Sequence, residues 1–331
     1  MRRILAIFAW PILIIALAAC VPAAPSKAAQ VTLMLDWVPN TNHTGLYVAQ
    51  EKGYFKQAGL DVAIIQPGEV YAEQAVASGA ADFGVSFQEQ LTLARAATPS
   101  APLVSIAAII QHNTSGFASL TEKGVDSPKG FEGLTYASFG SPFEEPTLRV
   151  LMGCAGGDFS KLKIANTGTT DPLALMVSKQ IDLAWIFYGW QGIQAKQQGA
   201  SLNVVMLEDY ASCVPDYYTP ILITSETMIR DKPEIVRAFL KAVSRGYQDA
   251  IENPDEAAAI LLKAAPELDP ALVNESQQWL SPRYQADAAR WGEQKLEIWD
   301  GYSQWMAANG LIKEPIDGAA AFSDEFLPAL K

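Results

Sequence analysis

Short apolar runs alternate with amphipathic segments along the chain from Val31 onward. Short runs rich in β-branched residues are typical of strands, which are predicted at 31–35, 61–65, 82–85 and 103–110. Apolar positions at helical spacing predict helices near 44–52, 70–78 and 88–97. Alternating strands and helices indicate a mostly parallel sheet with helices on both of its faces.

A second alternating block begins after a polar segment at 111–116. Its strands are predicted at 134–138, 162–165, 182–186 and 203–207, with a helix at 171–178. Ser141 is predicted to cap a further helix that follows the first of these strands. After a polar, aromatic segment at 216–220, a strand is predicted at 221–224. Helices are then predicted at 232–253, 255–264, 270–279, 286–308 and 322–327.

Two α/β blocks joined by two polar crossings predict an α/β fold with two lobes and a cleft between them. The predicted division is 31–112 plus 222–331 for lobe one, 115–217 for lobe two, and 113–114 with 218–221 for the hinge crossings. The lobes are expected to close over a ligand by bending at these crossings. The mature chain is long enough, and with 50% hydrophobic residues apolar enough, for two domains of ordinary size.

The first twenty residues are predicted to be a targeting segment rather than part of the fold. Two arginines precede an apolar stretch at 4–18, and small residues lead to Cys20, as in a bacterial lipoprotein signal peptide. Cys20 is therefore the predicted lipidation site, with 21–30 as a flexible tether. An ordinary secretory peptide cut after Ala29 is the open alternative. The expected location is the outer face of the cell membrane, with membrane contact through the lipid anchor only.

The chain carries a formal net charge of -12, which becomes -14 once Arg2 and Arg3 are removed. An acidic surface excludes nucleic acid as a partner and excludes docking on anionic lipid through basic patches. Cys154 and Cys213 are the cysteines that follow Cys20, and they either form a disulfide or remain as buried thiols. The histidines and cysteines lack the spacing of metal ligands, so no metal site is predicted.

The stretch around the first strand carries a family resemblance. LDWVPNTNHTGLYVA at 35–49, followed by GYF at 53–55 and GLDV at 59–62, resembles the family that groups fungal thiamine-pyrimidine synthases with binding proteins of bacterial ABC importers. Those binding proteins take thiamine-pyrimidine precursors, sulfonates or riboflavin. The resemblance covers the mature chain and implies a two-lobed periplasmic-binding-protein fold of type II with a ligand cleft between lobes. It also implies an ABC permease and its ATPase as partners, and no cofactor.

Loops that follow the predicted strands are expected to line this cleft, because ligands of α/β sheets bind at the carboxyl ends of strands. These loops combine aromatic rings, amides and carboxylates, and they include Phe87, Phe139 and Ser141. Aromatic walls on both lobes would sandwich a planar heterocycle. The candidate ligand-binding residues are Trp37, Asn40, Asn42, His43, Tyr71, Gln88, Glu89, Asn113, Glu144, Trp185, Tyr188, Trp190 and Tyr217.

The charge of these loops limits the classes of ligand that they can bind. No lysine or arginine stands in them, which argues against a sulfonate, since anions are usually bound by cationic side chains or free N–H groups. Two ligands suggested by the resemblance survive, riboflavin and a thiamine-pyrimidine precursor such as formylaminopyrimidine. The many aromatic and neutral polar groups favour riboflavin, with the pyrimidine precursor as the alternative.

Catalysis is the competing interpretation, because the fungal members of the family are enzymes. Those synthases consume a histidine of their own and a lysine-bound pyridoxal phosphate. An alignment on Asp82-Phe83-Gly84 places Ser86 at the lysine position and Gln90 at the histidine position. One cysteine, Cys213, remains of the Cys-rich run of the enzymes. These departures predict a binding protein and not an enzyme.

Overall fold

The computed structural model describes residues 28–168 and 170–329, whose strands form two five-stranded sheets. The strands are β1 (Ala29–Met34), β2 (Leu60–Ile65), β3 (Phe83–Ser86), β4 (Leu103–Ala108), β5 (Ser115–Leu120), β6 (Thr135–Ser138), β7 (Lys163–Asn166), β8 (Leu183–Phe187), β9 (Leu202–Met206) and β10 (Ile221–Ser225). The helices are α1 (Thr44–Glu51), α2 (Tyr54–Gln57), α3 (Ala72–Ser78), α4 (Gln88–Ala96), α5 (Glu144–Cys154), α6 (Pro172–Val177), α7 (Ile193–Gln197), α8 (Glu226–Asp231), α9 (Pro233–Glu252), α10 (Pro254–Ala264), α11 (Pro270–Leu280), α12 (Leu296–Ala308) and α13 (Gly318–Ala321). None of the helices described is long and apolar enough to cross a membrane.

Each sheet contains one reversed strand. The first sheet has the order β2-β1-β3-β10-β4, and β10 runs antiparallel to both of its neighbours. The second has the order β7-β6-β8-β5-β9, and β5 runs antiparallel to both of its neighbours. The other pairings in each sheet are parallel. The reversed strands are the ones that the chain enters after crossing from the other sheet, so the expected parallel arrangement is interrupted once in each lobe.

The core beside the first sheet depends on a close crossing of α1 and α9. The two helices approach so closely that a Cβ added at Gly246 would lie 2.0 Å from the carbonyl oxygen of Gly45. Only glycine permits such backbone contact. Leu46, Val48 and Val243 are fully buried around this crossing. The contact fixes α1, and with it the loop that precedes α1 at the end of β1.

The core beside the second sheet includes part of the C-terminal helix. Phe117, Tyr136 and Leu183 pack with Tyr302 and Met306 of α12 in one buried cluster. The sequence placed the whole of 222–331 in lobe one, whereas α12 packs against the core of the second sheet. The division of the chain into lobes and hinge crossings therefore stays a proposal.

The two connections between the sheets are tied together by Asp216. Its Oδ1 accepts hydrogen bonds from the backbone N–H groups of Asn113 and Tyr217, each over 3.0 Å. Its Oδ2 lies 2.6 Å from Nδ1 of His112, whose Nε2 lies 2.9 Å from Asp287 Oδ1. The hydrogen bond with Asp216 is the main cause that raises the pKa of His112 to about 9, so the imidazole is cationic at neutral pH. One carboxylate thus joins both connections.

Of the two last predicted helices, the one at 286–308 is wrong over its first part and the one at 322–327 is wrong throughout, because these segments cover the edge of β4. The segment at 286–295 is not helical: Ala108 N–H donates to Gly292 O, and the Trp291 indole donates to Ile109 O over 3.2 Å. Phe322 forms an isolated bridge with Ser105 of the same strand. The helix predicted at 322–327 is therefore absent from the structure. An exposed strand edge has unpaired N–H and C=O groups, which these contacts satisfy.

Five further elements were not predicted. These are α2, β5, the helical segment made of a π-turn at Tyr188–Gly192 followed by α7, α8 and α13. The tether predicted at 21–30 is also too long, because Ala29 and Gln30 already pair with Leu60 and Asp61 of β2. The predicted signal segment 1–20 with Cys20, and 21–27 of the tether, lie outside the described residues.

Cys154 and Cys213 form a disulfide that joins the end of α5 to the connection leading into β10. Their Cα atoms are 6.2 Å apart and their sequence separation is 59. The distance is ordinary for a disulfide, and the bond closes a long loop of the unfolded chain. The structure therefore decides between the two states of these cysteines that the sequence left open.

Replacing both cysteines with serine is expected to lower the free energy of unfolding by about 3 kcal/mol, because the unfolded chain regains the entropy of the open loop. Urea unfolding of the wild-type and double-variant chains measures this loss. Wild-type protein unfolded in the presence of a reductant is the matched comparison and should lose a similar amount. Equal unfolding midpoints in all three experiments would contradict the disulfide.

Candidate functional site

A cleft of about 340 Å³ lies between the two sheets. It is lined by Asp36, Tyr71, Glu73, Phe87, Gln90 and the loop 139–142, together with Ala72 and Val85. Asp36, Phe87 and Phe139 each follow the carboxyl end of a strand, which is where ligands of α/β sheets bind. Loops from both sheets thus form a single candidate site.

Aromatic rings form both walls of this cleft. Tyr71 is 67% exposed and Phe139 is 46% exposed, although neither side chain is charged. Phe87 lies on the first lobe and Phe187 on the second, and their ring centroids are 6.3 Å apart. Phe139 is supported from behind by Trp185, with 6.3 Å between ring centroids. Exposed rings on opposite walls suit a planar aromatic ligand.

Asp36 brings a negative charge into the cleft. The backbone N–H of Asn40 donates to Nδ1 of His43 over 3.3 Å, so Nδ1 is unprotonated and the proton of the ring is on Nε2. Nε2 of His43 donates to Asp36 Oδ1 over 2.6 Å. The imidazole therefore carries one proton, on Nε2, and adds no formal charge beside the Asp36 carboxylate. The described residues supply no hydrogen bond to Asp36 Oδ2, which is left for the cleft.

Glu73 is a second carboxylate with one anchored oxygen. The hydroxyl of Ser86 donates to Glu73 Oε1. Burial is the main cause that raises the pKa of Glu73 above its ordinary value; hydrogen bonds from Ser86 and from the Glu73 backbone lower it, and the nearby charge of Asp36 raises it. Among the described residues that line the cleft there is no lysine or arginine. The site therefore offers acceptors and aromatic faces but no cation.

Glu144 was predicted to contact ligand, and the structure assigns it another role. Its carboxylate accepts hydrogen bonds from the Tyr136 hydroxyl over 2.6 Å, from the Ser138 hydroxyl over 3.2 Å, and from the backbone N–H groups of Phe139 and Ser141 over 3.1 and 2.6 Å. A fully buried carboxylate with four donors has no oxygen left for a ligand. Glu144 instead shapes the loop that carries Phe139.

The predicted N-cap of α5 is wrong for a related reason. The residue at the N-cap is Phe143, and it has no side-chain capping bond. The Ser141 hydroxyl is buried without a partner among the described residues. The loop is held by Glu144 instead, and Ser141 lines the cleft.

Most of the first predicted loop is also structural. The Asn40 side chain caps the turn at 41–43 by accepting from Asn42 N–H over 2.9 Å, and the carbonyl of Asn42 accepts from the Tyr247 hydroxyl over 2.6 Å. His43 is fully buried and positions Asp36. Trp37 is 48% exposed beside Asp36 but does not line the cleft in this structure. The residue of this loop that lines the cleft is Asp36, which was not among the candidate ligand-binding residues.

Four predicted residues lie near the two connections between the sheets rather than in the cleft lining. Gln88 accepts from Tyr218 N–H over 2.8 Å and is fully buried. Asn113 accepts from Ser115 N–H over 2.7 Å. Glu89 and Tyr217 are 3% and 2% exposed, and Glu89 Oε2 and Asn113 Nδ2 lack partners among the described residues. Burial raises the pKa of Glu89 to about 8, so this carboxyl is neutral at neutral pH.

The aromatic cluster of lobe two is divided between core and interface. The Trp185 indole donates to Ser115 Oγ over 2.8 Å, and the ring is 9% exposed behind Phe139. The ring centroids of Tyr188 and Trp279 of α11 are 5.3 Å apart, and Trp190 packs against the core beside the first sheet. These contacts, with the bond from the Ser276 hydroxyl to Gly189 O, join the two lobes on the α11 side.

Sequence reasoning thus placed Tyr71 in the cleft and named the loops of Phe87, Phe139 and Ser141, but it missed Glu73 and Gln90. Both lie two residues after a candidate residue, in the first turn of α3 after Tyr71 and in the first turn of α4 after Gln88. A helical residue reaches the surface one turn away from its own position, which is the signal that could have found them.

The comparisons with known proteins agree with this architecture. A family model described as NMT1/THI5 like matches residues 40–257. The formylaminopyrimidine-binding protein of Halalkalibacterium halodurans is 31% identical over 298 residues, which cover 88% of this chain and 89% of that protein. The riboflavin-binding protein RibY of Chloroflexus aurantiacus is 28% identical and covers 94% of this chain and 90% of that protein.

An enzyme is also among the relatives. A 4-amino-5-hydroxymethyl-2-methylpyrimidine phosphate synthase of Legionella pneumophila is 25% identical and covers 92% of this chain and 95% of that protein. Among solved structures, the alkanesulfonate-binding protein SsuA of Xanthomonas axonopodis pv. citri superposes with a TM-score of 0.66 at 12% identity, over 90% of this chain and 99% of that one. This likeness confirms the predicted two-lobed, type II binding-protein fold.

The raised pKa of Glu89 predicts that the free energy of unfolding depends on pH. Between its ordinary pKa of 4.5 and about 8, the folded chain keeps a proton that the unfolded chain has released. The free energy of unfolding should therefore fall as pH rises, by at most about 1.4 kcal/mol per pH unit from this group. Glu89→Gln is expected to lessen that fall, as measured by urea unfolding at pH 5 and pH 8. The control is Glu69→Gln, which changes an exposed carboxylate. Equal pH-dependence in the two variants would contradict a buried neutral Glu89.

Proposed function

This chain belongs to the NMT1/THI5-like family, and from that premise we propose that it is the solute-binding protein of an ABC importer for a thiamine-pyrimidine precursor of the formylaminopyrimidine type. The relatives named as binding proteins extend over most of the chain, which supports the same role here. Its partners would then be a permease and an ATPase, and it would work outside the cytoplasm. Closure of the lobes over ligand would create the form that the permease binds.

The composition of the cleft carries this choice of ligand. Asp36 and Glu73 each present a carboxylate oxygen, and Tyr71, Phe87 and Phe139 present rings. An aminopyrimidine has the complementary pair of features, a small planar ring and amino groups that donate hydrogen bonds. A buried acceptor without a donor costs roughly 1–3 kcal/mol, so acceptors in the wall select ligands that carry donors.

Riboflavin is the second candidate, and the similarity to RibY favours it. The sequence alone pointed to riboflavin because of the aromatic and amide groups in the loops. The isoalloxazine ring, however, presents carbonyl oxygens, and these need donors rather than carboxylates. Gln90 is the lining side chain that best supplies such donors. The two carboxylates therefore rank the aminopyrimidine first.

We predict that the chain from Val21 onward, which contains every described residue, binds formylaminopyrimidine with a dissociation constant at or below the micromolar range, about -8 kcal/mol. Calorimetry measures this affinity, and quenching of flavin fluorescence measures that of riboflavin in the same preparation. We expect riboflavin to bind at least tenfold more weakly. Tighter binding of riboflavin would reverse the ranking of ligands, and no binding of either would count against the proposal as a whole.

A binding role without catalysis is supported by three positions. Ser86, at the position that the resemblance aligns with the synthase lysine, has a hydroxyl that cannot form an imine with pyridoxal phosphate. Gln90 stands at the position of the synthase histidine and lines the cleft. Cys213, the cysteine left from the Cys-rich run, is bonded to Cys154. We therefore propose that the chain delivers a pyrimidine rather than making one.

Attachment to the cell membrane through Cys20 remains part of the proposal. We predict that the full-length chain expressed in a bacterium incorporates an alkyne-tagged fatty acid and that Cys20→Ser abolishes the incorporation, because the thiol is the acceptor. The matched control is the Cys154→Ser, Cys213→Ser variant, which should keep the label. Equal labelling of Cys20→Ser and wild type would contradict lipidation at this residue.

A further inference from the structure

The two cleft carboxylates share an arrangement that goes beyond supplying acceptors. Each has one oxygen bound to a protein donor, His43 for Asp36 and Ser86 for Glu73. Both donors are neutral groups. The second oxygen of each carboxylate accepts no hydrogen bond from another of the described residues. The Asp36 side chain is only 8% exposed, so its charge is held in a largely desolvated place.

No lysine or arginine lines the cleft around Glu73 among the described residues. Helix α3 packs on β3, β4 and β10, and the Ser86 hydroxyl at the end of β3 donates to Glu73. From α4 it faces Glu89, and from the loop after β1 it faces Asp36. Across the cleft lies the uncharged loop 139–142, and the phenol of Tyr71 stands at the rim.

Desolvated negative charge without a counter-charge is costly, and the cost is removed when a cation binds. The centre of the cleft therefore favours a ligand that carries a positive charge. An aminopyrimidine can meet it, because protonation of a ring nitrogen beside the amino group spreads a positive charge over two donor positions. The proton is taken from solvent, and the ligand then carries donors for both free oxygens.

Resting on the function proposed above, we propose that Asp36 and Glu73 determine the specificity of the cleft and that they bind an amino-substituted heterocycle in its N-protonated, cationic form. The ligand class is an aromatic amidine that gains a proton as it binds. An oxo-substituted analogue of the same shape is rejected, because its carbonyl oxygen faces a carboxylate oxygen and leaves both without a donor. Neutral vitamins that lack an amidine are rejected for the same reason.

The location of the proton taken up on binding distinguishes this proposal from a complex with a neutral ligand. If the ligand binds as a cation, Glu73 has to remain ionised in the complex. If the ligand binds as a neutral molecule, Glu73 has to take up the proton itself, because burial and Asp36 oppose its charge. Glutamine resembles a protonated glutamate, so Glu73→Gln preserves the second arrangement and destroys the first.

The experiment uses the chain from Val21 onward and two probes, formylaminopyrimidine and its 4-oxo counterpart. Calorimetry at pH 7.5 in phosphate and in Tris, which differ in ionisation enthalpy, gives affinity and the number of protons taken up. For wild type we expect proton uptake with the amino probe and at least a hundredfold weaker binding of the oxo probe. For Glu73→Gln and Asp36→Asn we expect at least a tenfold loss of affinity for the amino probe, less proton uptake, and a smaller difference between probes.

Glu69→Gln is the matched control, since it removes the same charge from the neighbouring loop at an exposed position outside the cleft. It should bind both probes like wild type, and thermal unfolding confirms that every variant is folded. Wild-type affinity in Glu73→Gln together with loss of proton uptake would show that Glu73 took up the proton, and would overturn the cationic complex while leaving the pyrimidine-binding function intact. Failure of wild type to bind the amino probe, with binding of riboflavin, would overturn the proposed ligand and this inference together.

Discussion

The hydrogen bond from His43 to Asp36 is the constraint on which the first wall of the cleft depends. It spans the loop between β1 and α1, and the Asn40 N–H that donates to the other ring nitrogen fixes the proton on the side of Asp36. Because α1 is locked against α9 by the contact of Gly45 with Gly246, His43 has a fixed position from which to hold the carboxylate. The aromatic and polar residues of this loop therefore support one charged group rather than each contacting ligand.

The carboxylates near the cleft differ in how many hydrogen-bond donors each one contacts. Their roles follow from this number. Glu144 has four donors and builds a loop. Glu89 has an oxygen without a donor and is buried, so it keeps its proton at neutral pH. Asp36 and Glu73 are intermediate, with one oxygen anchored and one left over. Only the last arrangement is both rigid and open to a ligand.

The connections between the two sheets are adjacent to the cleft in the chain. Glu89 follows Phe87 by two residues, and Gln88 between them holds the N–H of Tyr218 at the second crossing. Asp216 ties that crossing to the first one, and His112 extends the network to Asp287. A ligand between Phe87 and Phe139 would therefore contact loops that are attached directly to the two connections between the sheets.

Local pattern determined the alternation of strands and helices, the two α/β blocks, and the loops that meet at the cleft, because apolar periodicity and turn residues are written in neighbouring positions. It did not determine which segments would cover the edge of β4, so Trp291 and Phe322 were assigned to helices that a strand edge prevents. Nor did it separate the residues that face ligand from those that hold the loops. Asn40, His43 and Glu144 look like ligand residues in sequence, and only the donors and acceptors brought to them by distant segments show that their bonds are already made. The same tertiary contacts leave one oxygen of Asp36 and one of Glu73 without a donor from another residue. A short stretch of sequence cannot predict this, because the donors come from distant segments.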